Sequence, residues 1–308
     1  MTQHKETFDA VLKEMHKVIV GQDEMIEEVF ISLLCNGNAL LEGYPGLAKT
    51  LTINTLAKII DLRFSRVQNT PDLMPSDITG TYIITDDKGK REFKFQPGPI
   101  FANIVLADEI NRATPKSQSA FLEAMQEKQV TVGNVTYKID APFFVLATQN
   151  PIEQEGTYPL PEAQADRFLM KINVTYPDEK EETEIVKRYT ERNELQELRK
   201  VLDKARLLKL QELTKQVPIA DDLRNAAIKI VVASRKNKDL FLYGASPRAS
   251  MALILCAKAR ALVRGRAHVS SEDIKEMAMP VLRHRVILSF EAERQGLSVD
   301  DAIKKLIK

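Results

Sequence analysis

The stretch Gly43-Tyr44-Pro45-Gly46-Leu47-Ala48-Lys49-Thr50 lies close to the phosphate-binding pattern G-x-x-x-x-G-K-[ST]. In that pattern, backbone N–H groups surround the phosphates, the lysine reaches the terminal phosphates, and the hydroxyl binds Mg²⁺. Ala48 departs from it, because a glycine is expected there. We predict that the whole stretch and Leu51 bind a nucleotide, with Lys49 on the terminal phosphates and Thr50 as a Mg²⁺ ligand.

The segments around this stretch predict the strand–loop–helix context that a phosphate loop requires. Ala39–Glu42 reads as a buried strand, and Leu51 to Ile60 has helical periodicity. Four further apolar runs are typical of strands covered on both faces; they are Arg63–Gln68, Ile104–Asp108, Phe143–Thr148 and Leu169–Val174. With helical segments between them, the fold class is predicted as α/β with a parallel five-stranded sheet.

Two segments interrupt this alternation and are predicted as hairpin insertions, at Thr81–Phe95 and Val130–Ile139. After Asp178 the pattern is helical almost throughout. We therefore expect an α/β nucleotide-binding core over residues 1–178 and an all-helical domain over residues 179–308.

Polar side chains follow two of the predicted strands. Asp108 and Glu109 end an apolar run, where one carboxylate can hold Mg²⁺ and the other can polarise the attacking water. The alternative is that the pair only begins a loop. Asn150 follows another strand and can lie beside the γ-phosphate, although an asparagine before a proline is also a common turn former.

Two arginines are candidates for phosphate contacts. Arg167 could stabilise charge on a transferring phosphoryl group, supplied by a neighbouring subunit, or could instead be a surface ion-pair partner of Asp166 or Glu162. Arg248 follows Ser246 and Pro247, which predict a capped helix start. From there it could reach a nucleotide, or be an ordinary surface arginine.

Composition limits the alternatives. The chain has 308 residues, and 44 basic side chains nearly cancel 43 acidic ones, which argues against a protein covered in nucleic-acid-binding charge. Cys35 and Cys256 are expected to be buried free thiols. No apolar run is long enough to span a bilayer and the N-terminus lacks a signal region, so we expect a cytoplasmic protein.

In this order the motifs resemble the AAA+ ATPases, and within them the MoxR family. Members of that family carry G-x-P-G-x-A-K-T, so Ala48 agrees with the family pattern. Further segments resemble MoxR proteins from about Val18 to Arg285; they are residues 108–113, 147–151, 161–168, 244–248 and 281–285.

The resemblance implies a wedge-shaped core and a helical lid with ATP and Mg²⁺ between them. It implies that Lys49 contacts the β- and γ-phosphates and that Thr50 and Asp108 hold Mg²⁺. The remaining roles are Glu109 as catalytic base, Asn150 as first sensor, Arg167 as finger acting in trans, Arg248 as second sensor, and Val20, Gly21 and Gln22 near the adenine.

The resemblance also implies a homo-oligomer, a hexameric ring with both hairpins facing its centre. The implied function is chaperone-like remodelling or assembly of protein clients, often proteins with von Willebrand A-type domains. A nucleic-acid motor is an alternative, because Lys88, Lys90, Arg91 and Lys94 could line a channel, although acidic neighbours dilute that charge. A nucleotide-gated scaffold and a magnesium-chelatase-like subunit are two others.

Overall fold

We describe a computed structural model of the chain over residues 2–87, 90–152, 156–191 and 197–307. Its strands are β1 Ala39–Glu42, β2 Phe64–Gln68, β3 Gly80–Asp87, β4 Lys90–Pro97, β5 Ile104–Asp108, β6 Gln129–Val132, β7 Val135–Lys138, β8 Phe144–Gln149, β9 Met170–Asn173, β10 Phe241–Tyr243 and β11 Ile287–Leu288. Its α-helices are α1 Thr2–Met15, α2 Asp23–Leu34, α3 Lys49–Ile59, α4 Pro75–Thr79, α5 Pro115–Glu127, α6 Glu162–Ala165, α7 Glu179–Glu191, α8 Lys204–Gln216, α9 Asp221–Lys236, α10 Pro247–Val263, α11 Ser271–Leu282, α12 Phe290–Arg294 and α13 Val299–Ile307.

The central sheet has five strands in the order β2-β5-β8-β1-β9, and all its pairings are parallel. In this register Gln68 lies opposite Asp108, and Leu41 opposite Thr148. The carboxyl ends of β1, β5 and β8 therefore meet at one edge of the sheet, where open α/β sheets bind their ligands. The predicted α/β fold class is confirmed.

Alternate residues of the central strands pack into two apolar layers, which explains their continuous apolar character. Leu41 and Leu106 face the layer that also contains Cys35 and Cys256, both buried free thiols as predicted. Leu40 and Val105 belong to the layer on the opposite face. Among the described residues, no helix combines the length and apolar character needed to span a bilayer.

Both hairpins are present, and they touch each other. Strands β3 and β4 pair antiparallel, as do β6 and β7, and the predicted hairpin residues Lys88 and Gly89 lie outside the described part of the chain. The Phe95 and Tyr137 rings stack with centroids 4.0 Å apart, and the hydroxyls of Tyr82 and Tyr137 are 2.7 Å apart. Aromatic packing therefore joins the two insertions.

The C-terminal region is mainly helical, from α7 to α13, but one feature differs from the all-helical prediction. Strands β10 and β11 form a short antiparallel pair, with Phe241 opposite Leu288. Runs of two and three residues are too short to show an alternating pattern in the sequence. The boundary between residues 178 and 179 stays a prediction.

Candidate functional site

The phosphate-loop stretch connects β1 to α3, and three of its residues have notable backbone or side-chain geometry. Gly46 has φ +84°, and a Cβ there would meet no atom within 4 Å, so the loop is open on that side. Ala48 precedes α3 in the left-handed conformation, with φ 55° and ψ 17°. Nζ of Lys49 donates to the carbonyl of Gly43 and so folds back over the loop.

We call the space in front of this loop the phosphate-loop cavity; its volume is about 380 Å³. It gathers predicted residues from β5, β8 and the loop, among them Lys49, Thr50, Asp108, Glu109 and Asn150. The N-terminus of α3 opens at this cavity, and a helix N-terminus favours an anion. The arrangement is suited to a polyanion such as a nucleotide triphosphate.

Asp108 is almost buried at the end of β5. Its Oδ1 accepts a hydrogen bond from the Thr148 hydroxyl at 2.6 Å, and its Oδ2 is 3.4 Å from the Thr50 hydroxyl. A carboxylate and a hydroxyl so close together are the hard oxygen donors that Mg²⁺ binds, with water completing its shell. The residues present therefore fit the implied cation.

Glu109 also faces this cavity, from a left-handed backbone with φ 56°. Its Oε2 accepts hydrogen bonds from Gln68 Nε2 and Arg112 Nη1, each at 2.9 Å. Its backbone N–H donates to the Thr148 hydroxyl at 2.8 Å. To polarise a water, the carboxylate would have to exchange its present side-chain partners for that water.

Asn150 is buried just beyond β8 and lines the phosphate-loop cavity. Its Oδ1 accepts from the Ile152 backbone N–H at 3.2 Å, the turn geometry expected of an asparagine before proline. The turn and a sensing role are therefore compatible in this structure.

A second space, the neighbouring cavity, measures about 410 Å³ and shares Pro45 to Ala48 and Leu51 with the first. Its other lining residues are mostly apolar or aromatic; they are Val18, Ile19, Val20, Gln22, Tyr176, Pro177, Glu182, Ile185 and Tyr189. An apolar cavity beside a phosphate site suits a nucleotide base.

Three predicted binding residues lie beside these cavities and do not line either of them. Gly21 forms a left-handed turn with Gln22, whose side chain donates to the Thr175 carbonyl at 2.9 Å. Gly43 is buried beneath the loop, and the Tyr44 ring stacks on the Tyr176 ring with centroids 5.2 Å apart. Each of the three adjoins a residue that lines a cavity, without lining one itself.

Arg167 and Arg248 line a third space of about 390 Å³, which we call the arginine cavity. It includes Gly37 and Asn38, which precede β1, whereas the phosphate loop follows β1. The four residues of β1 separate these two edges by about 13 Å at 3.3 Å per residue. Arg248 therefore lies away from the phosphate-loop cavity of its own chain, and its role as second sensor stays a prediction.

The Asp166 carboxylate contacts two arginines that line the arginine cavity, Arg285 and Arg248. Its Oδ1 accepts from Arg285 Nε at 2.8 Å, and its carboxylate oxygens accept from the Ser246 hydroxyl at 3.2 and 3.0 Å. Arg248 Nη1 is 3.8 Å from Oδ2. Burial lowers the pKa of Arg285, and the hydrogen bond and charge of Asp166 oppose that effect. Within the described part of the chain, Arg167 forms no ion pair with Asp166 or Glu162, the two partners that the sequence left open.

Four residues that the sequence did not single out contact the carboxylates of Asp108 and Glu109; they are Arg66, Gln68, Arg112 and Thr148. Gln68 and Thr148 end or nearly end strands next to β5, so parallel pairing was a signal for them. Arg66 gave no such signal, because its position opposite Leu106 depends on the register of β2 against β5.

The parallel sheet, the loop preceding α3 and the acidic pair at the end of β5 define a P-loop nucleotide-binding module followed by a helical lid. Residues 38–170 match the ATPase family associated with various cellular activities (AAA), and residues 233–306 match the AAA lid domain.

The chain is 44% identical over 310 residues to "Chaperone MoxR1" of Mycobacterium tuberculosis, covering 98% of this chain and 81% of that protein. It is 30% identical over 321 residues to "Protein MoxR" of Methylorubrum extorquens, covering 96% and 92%. A crystal structure of a candidate ATPase from Cytophaga hutchinsonii superposes with a TM-score of 0.91 at 46% identity, covering 99% and 94%. This chain belongs to the MoxR family of AAA+ ATPases.

Proposed function

We propose that this protein hydrolyses ATP, with Mg²⁺, to drive the remodelling or assembly of partner proteins. The observation that carries the proposal is the phosphate-loop cavity, where Lys49, Thr50, Asp108, Glu109 and Asn150 meet. The neighbouring cavity supplies an apolar place for the base. The cytoplasmic location stays a prediction.

Each side chain has one task in this proposal. Lys49 would leave the Gly43 carbonyl and neutralise the β- and γ-phosphates. Thr50 and Asp108 would hold Mg²⁺, which when bound offsets charge on the phosphates. Glu109 would orient and polarise the attacking water, and Asn150 would donate to the water or the γ-phosphate. Binding and positioning of this kind account for most of the catalysis in phosphoryl transfer.

The two arginines would act on the nucleotide of a neighbouring subunit. Arg167 and Arg248 share one cavity at the opposite sheet edge from the loop, so a neighbour could receive both together. A guanidinium at the transferring phosphoryl group stabilises the transition state. We therefore extend the trans role from Arg167 to Arg248, within a homo-oligomeric and, we propose, hexameric ring.

Mixed subunits test the trans assignment. Lys49→Ala should abolish nucleotide binding, and Arg167→Ala should bind ATP but lose most turnover. When differently tagged variants are co-assembled, roughly a quarter of interfaces would pair an intact loop with an intact arginine, and turnover should partly recover. Mixed rings with no recovery would exclude the trans role. Wild-type protein that neither binds nor hydrolyses ATP would contradict the enzymatic proposal.

The first hairpin favours a polypeptide client. Ile84 and Phe93 lie opposite each other across β3 and β4, with 62% and 76% of their surface exposed. An exposed apolar pair suits contact with unfolded or flexible protein segments. A von Willebrand A-type domain is the partner class that we propose from the resemblance.

A nucleic-acid motor remains one alternative function. A magnesium-chelatase-like role is a second alternative, because one relative, 29% identical, is named "Magnesium-chelatase subunit ChlI homolog". Capturing partners on a Glu109→Gln variant with ATP should retain a protein client. DNA that stimulates turnover, with steeply salt-dependent binding, would instead support the motor. Single-turnover hydrolysis by wild type but not Glu109→Gln separates an ATPase from a nucleotide-gated scaffold.

A further inference from the structure

Arg66 belongs to no motif, yet its side chain enters the phosphate-loop cavity from β2. Among the described residues that line this cavity, the cationic side chains are Lys49 and Arg66. Lys49 has a role in the nucleotide site. Arg66 has none so far, although a second cation facing a polyanion site bears directly on what that site binds.

The guanidinium of Arg66 lies on one oxygen of Asp108. Its Nε and Nη2 donate to Oδ2 of Asp108 at 3.0 and 2.6 Å. The Thr50 hydroxyl is 3.4 Å from the same oxygen, while Oδ1 is bound by Thr148. Arg66 therefore hydrogen-bonds to Oδ2 of Asp108, the oxygen that also lies near the Thr50 hydroxyl. With Oδ1 bound by Thr148, Oδ2 is the oxygen available to a metal ion.

A guanidinium and Mg²⁺ compete for such an oxygen. Mg²⁺ binds its oxygen ligands at about 2.1 Å and demands near-octahedral geometry, which leaves little room for a second cation on the same atom. Two positive charges at that range also repel each other. About half of the Arg66 side chain is exposed, so it can move while its backbone stays in the sheet.

Arg66 has a second contact that is independent of Asp108. Its Nη2 also donates to Oε1 of Gln68 at 2.7 Å. If the bond to Asp108 breaks, the side chain therefore remains held at the mouth of the cavity. Its free donors would then face the ligand, and arginine binds phosphate oxygens with two parallel hydrogen bonds.

We propose that Arg66 covers the magnesium-binding oxygen of Asp108 until the cation arrives, and then binds the terminal phosphate of the nucleotide. The inference rests on the proposed ATP site. Arg66 would then have two linked effects. It would weaken Mg²⁺ binding at Asp108, and it would raise the affinity for nucleotide triphosphate relative to diphosphate.

Equilibrium binding of fluorescent ADP and of a fluorescent, non-hydrolysable ATP analogue to the full chain tests both effects. With saturating Mg²⁺, Arg66→Ala should weaken the triphosphate analogue about tenfold, the cost of a hydrogen bond to a charged group, and change ADP binding much less. The Mg²⁺ concentration for half-maximal ADP binding should fall several-fold. Mg²⁺ also binds free ADP in solution, but to the same extent with every variant. A difference in the Mg²⁺ midpoint between variants therefore comes from the protein.

Arg63→Ala is the matched control, because Arg63 precedes the same strand and pairs with Asp140 on the surface, 3.6 Å away and outside the cavity. It should bind both nucleotides as wild type does. Arg66→Gln repeats the test without the charge, and thermal melting shows whether each variant is folded.

In a folded Arg66 variant, an unchanged ratio of triphosphate to diphosphate affinity, or an unchanged Mg²⁺ midpoint, overturns the proposal. Wild-type protein that binds neither nucleotide would remove the proposed function instead. The two failures are therefore distinguishable.

Discussion

Asp166 Oδ1 and Arg285 Nε are joined by a hydrogen bond of 2.8 Å, which ties the segment after α6 to the turn after α11. The Arg285 side chain is almost wholly buried, and it also donates to the carbonyl of Leu169 at 2.9 Å. The segment that carries Arg167 is thereby fastened to the lid region that carries Arg248.

Replacing Asp166 should destabilise the protein strongly. In Asp166→Ala the Arg285 charge stays buried without its carboxylate, and we expect the free energy of unfolding to fall by about 3 kcal/mol. Denaturant unfolding measures this change. Glu291→Ala is the control, because Glu291 pairs with Arg294 on the exposed face of α12 and its loss should cost below about 1 kcal/mol. Equal losses in the two variants would contradict the buried role.

Ala48→Gly should stabilise the protein by about 0.5–1 kcal/mol. Alanine at φ 55° is strained, and glycine relieves that strain despite the entropy it adds to the unfolded chain. Ala226→Gly, within α9, should instead destabilise by about 1 kcal/mol. Melting temperatures that shift in the same direction in both variants would refute a strained Ala48.

Glu28 should make stability depend on pH. Burial raises its pKa to about 8, with Glu24, Glu27 and Asp300 adding to the rise and Arg283 opposing it. A carboxyl whose pKa is higher in the folded state stabilises that state most at low pH and loses this contribution as pH rises to about 8.

Between pH 6 and pH 8 the free energy of unfolding of wild type should fall by about 2 kcal/mol relative to Glu28→Gln. Denaturant titrations at the two pH values measure this difference. Glu123→Gln, an exposed position on α5 that does not act on Glu28, should parallel wild type. A constant difference between wild type and Glu28→Gln would show that Glu28 titrates normally.

Thr148→Val should lower both the ATPase turnover and the stability of the protein. The hydroxyl donates to Asp108 and accepts from the Glu109 N–H, so both acidic residues lose a positioning contact. We expect turnover to fall about tenfold and stability by about 1–3 kcal/mol. Steady-state ATPase assays measure the first effect. Thr148→Ser retains the hydroxyl and should recover most of the rate; a serine variant as slow as the valine variant would point to packing as the cause.

The central strands β1, β5 and β8 were predictable because they are buried on both faces, whereas the edge strands β2 and β9 are only partly buried. Ala39–Glu42 and Ile104–Asp108 have the predicted bounds, and the first hairpin extends from Gly80 to Pro97 where Thr81 to Phe95 was expected. The positions of Arg66 and Arg248 were not predictable. The first depends on strand register, and the second on how α10 packs against the core, which no local pattern encodes.

The separation of the phosphate-loop cavity from the arginine cavity restricts the symmetry of any active assembly. In a two-fold dimer one surface patch meets its own copy, so both cavities would have to lie within that single patch for the loop of each subunit to face the arginines of the other. Under the proposed function, cavities at opposite edges of the sheet favour a head-to-tail contact, in which two different surfaces meet. In an open row of subunits, the phosphate loop at one end has no neighbouring arginines, and the arginines at the other end have no neighbouring loop. Closing the row into a ring gives every subunit a complete site.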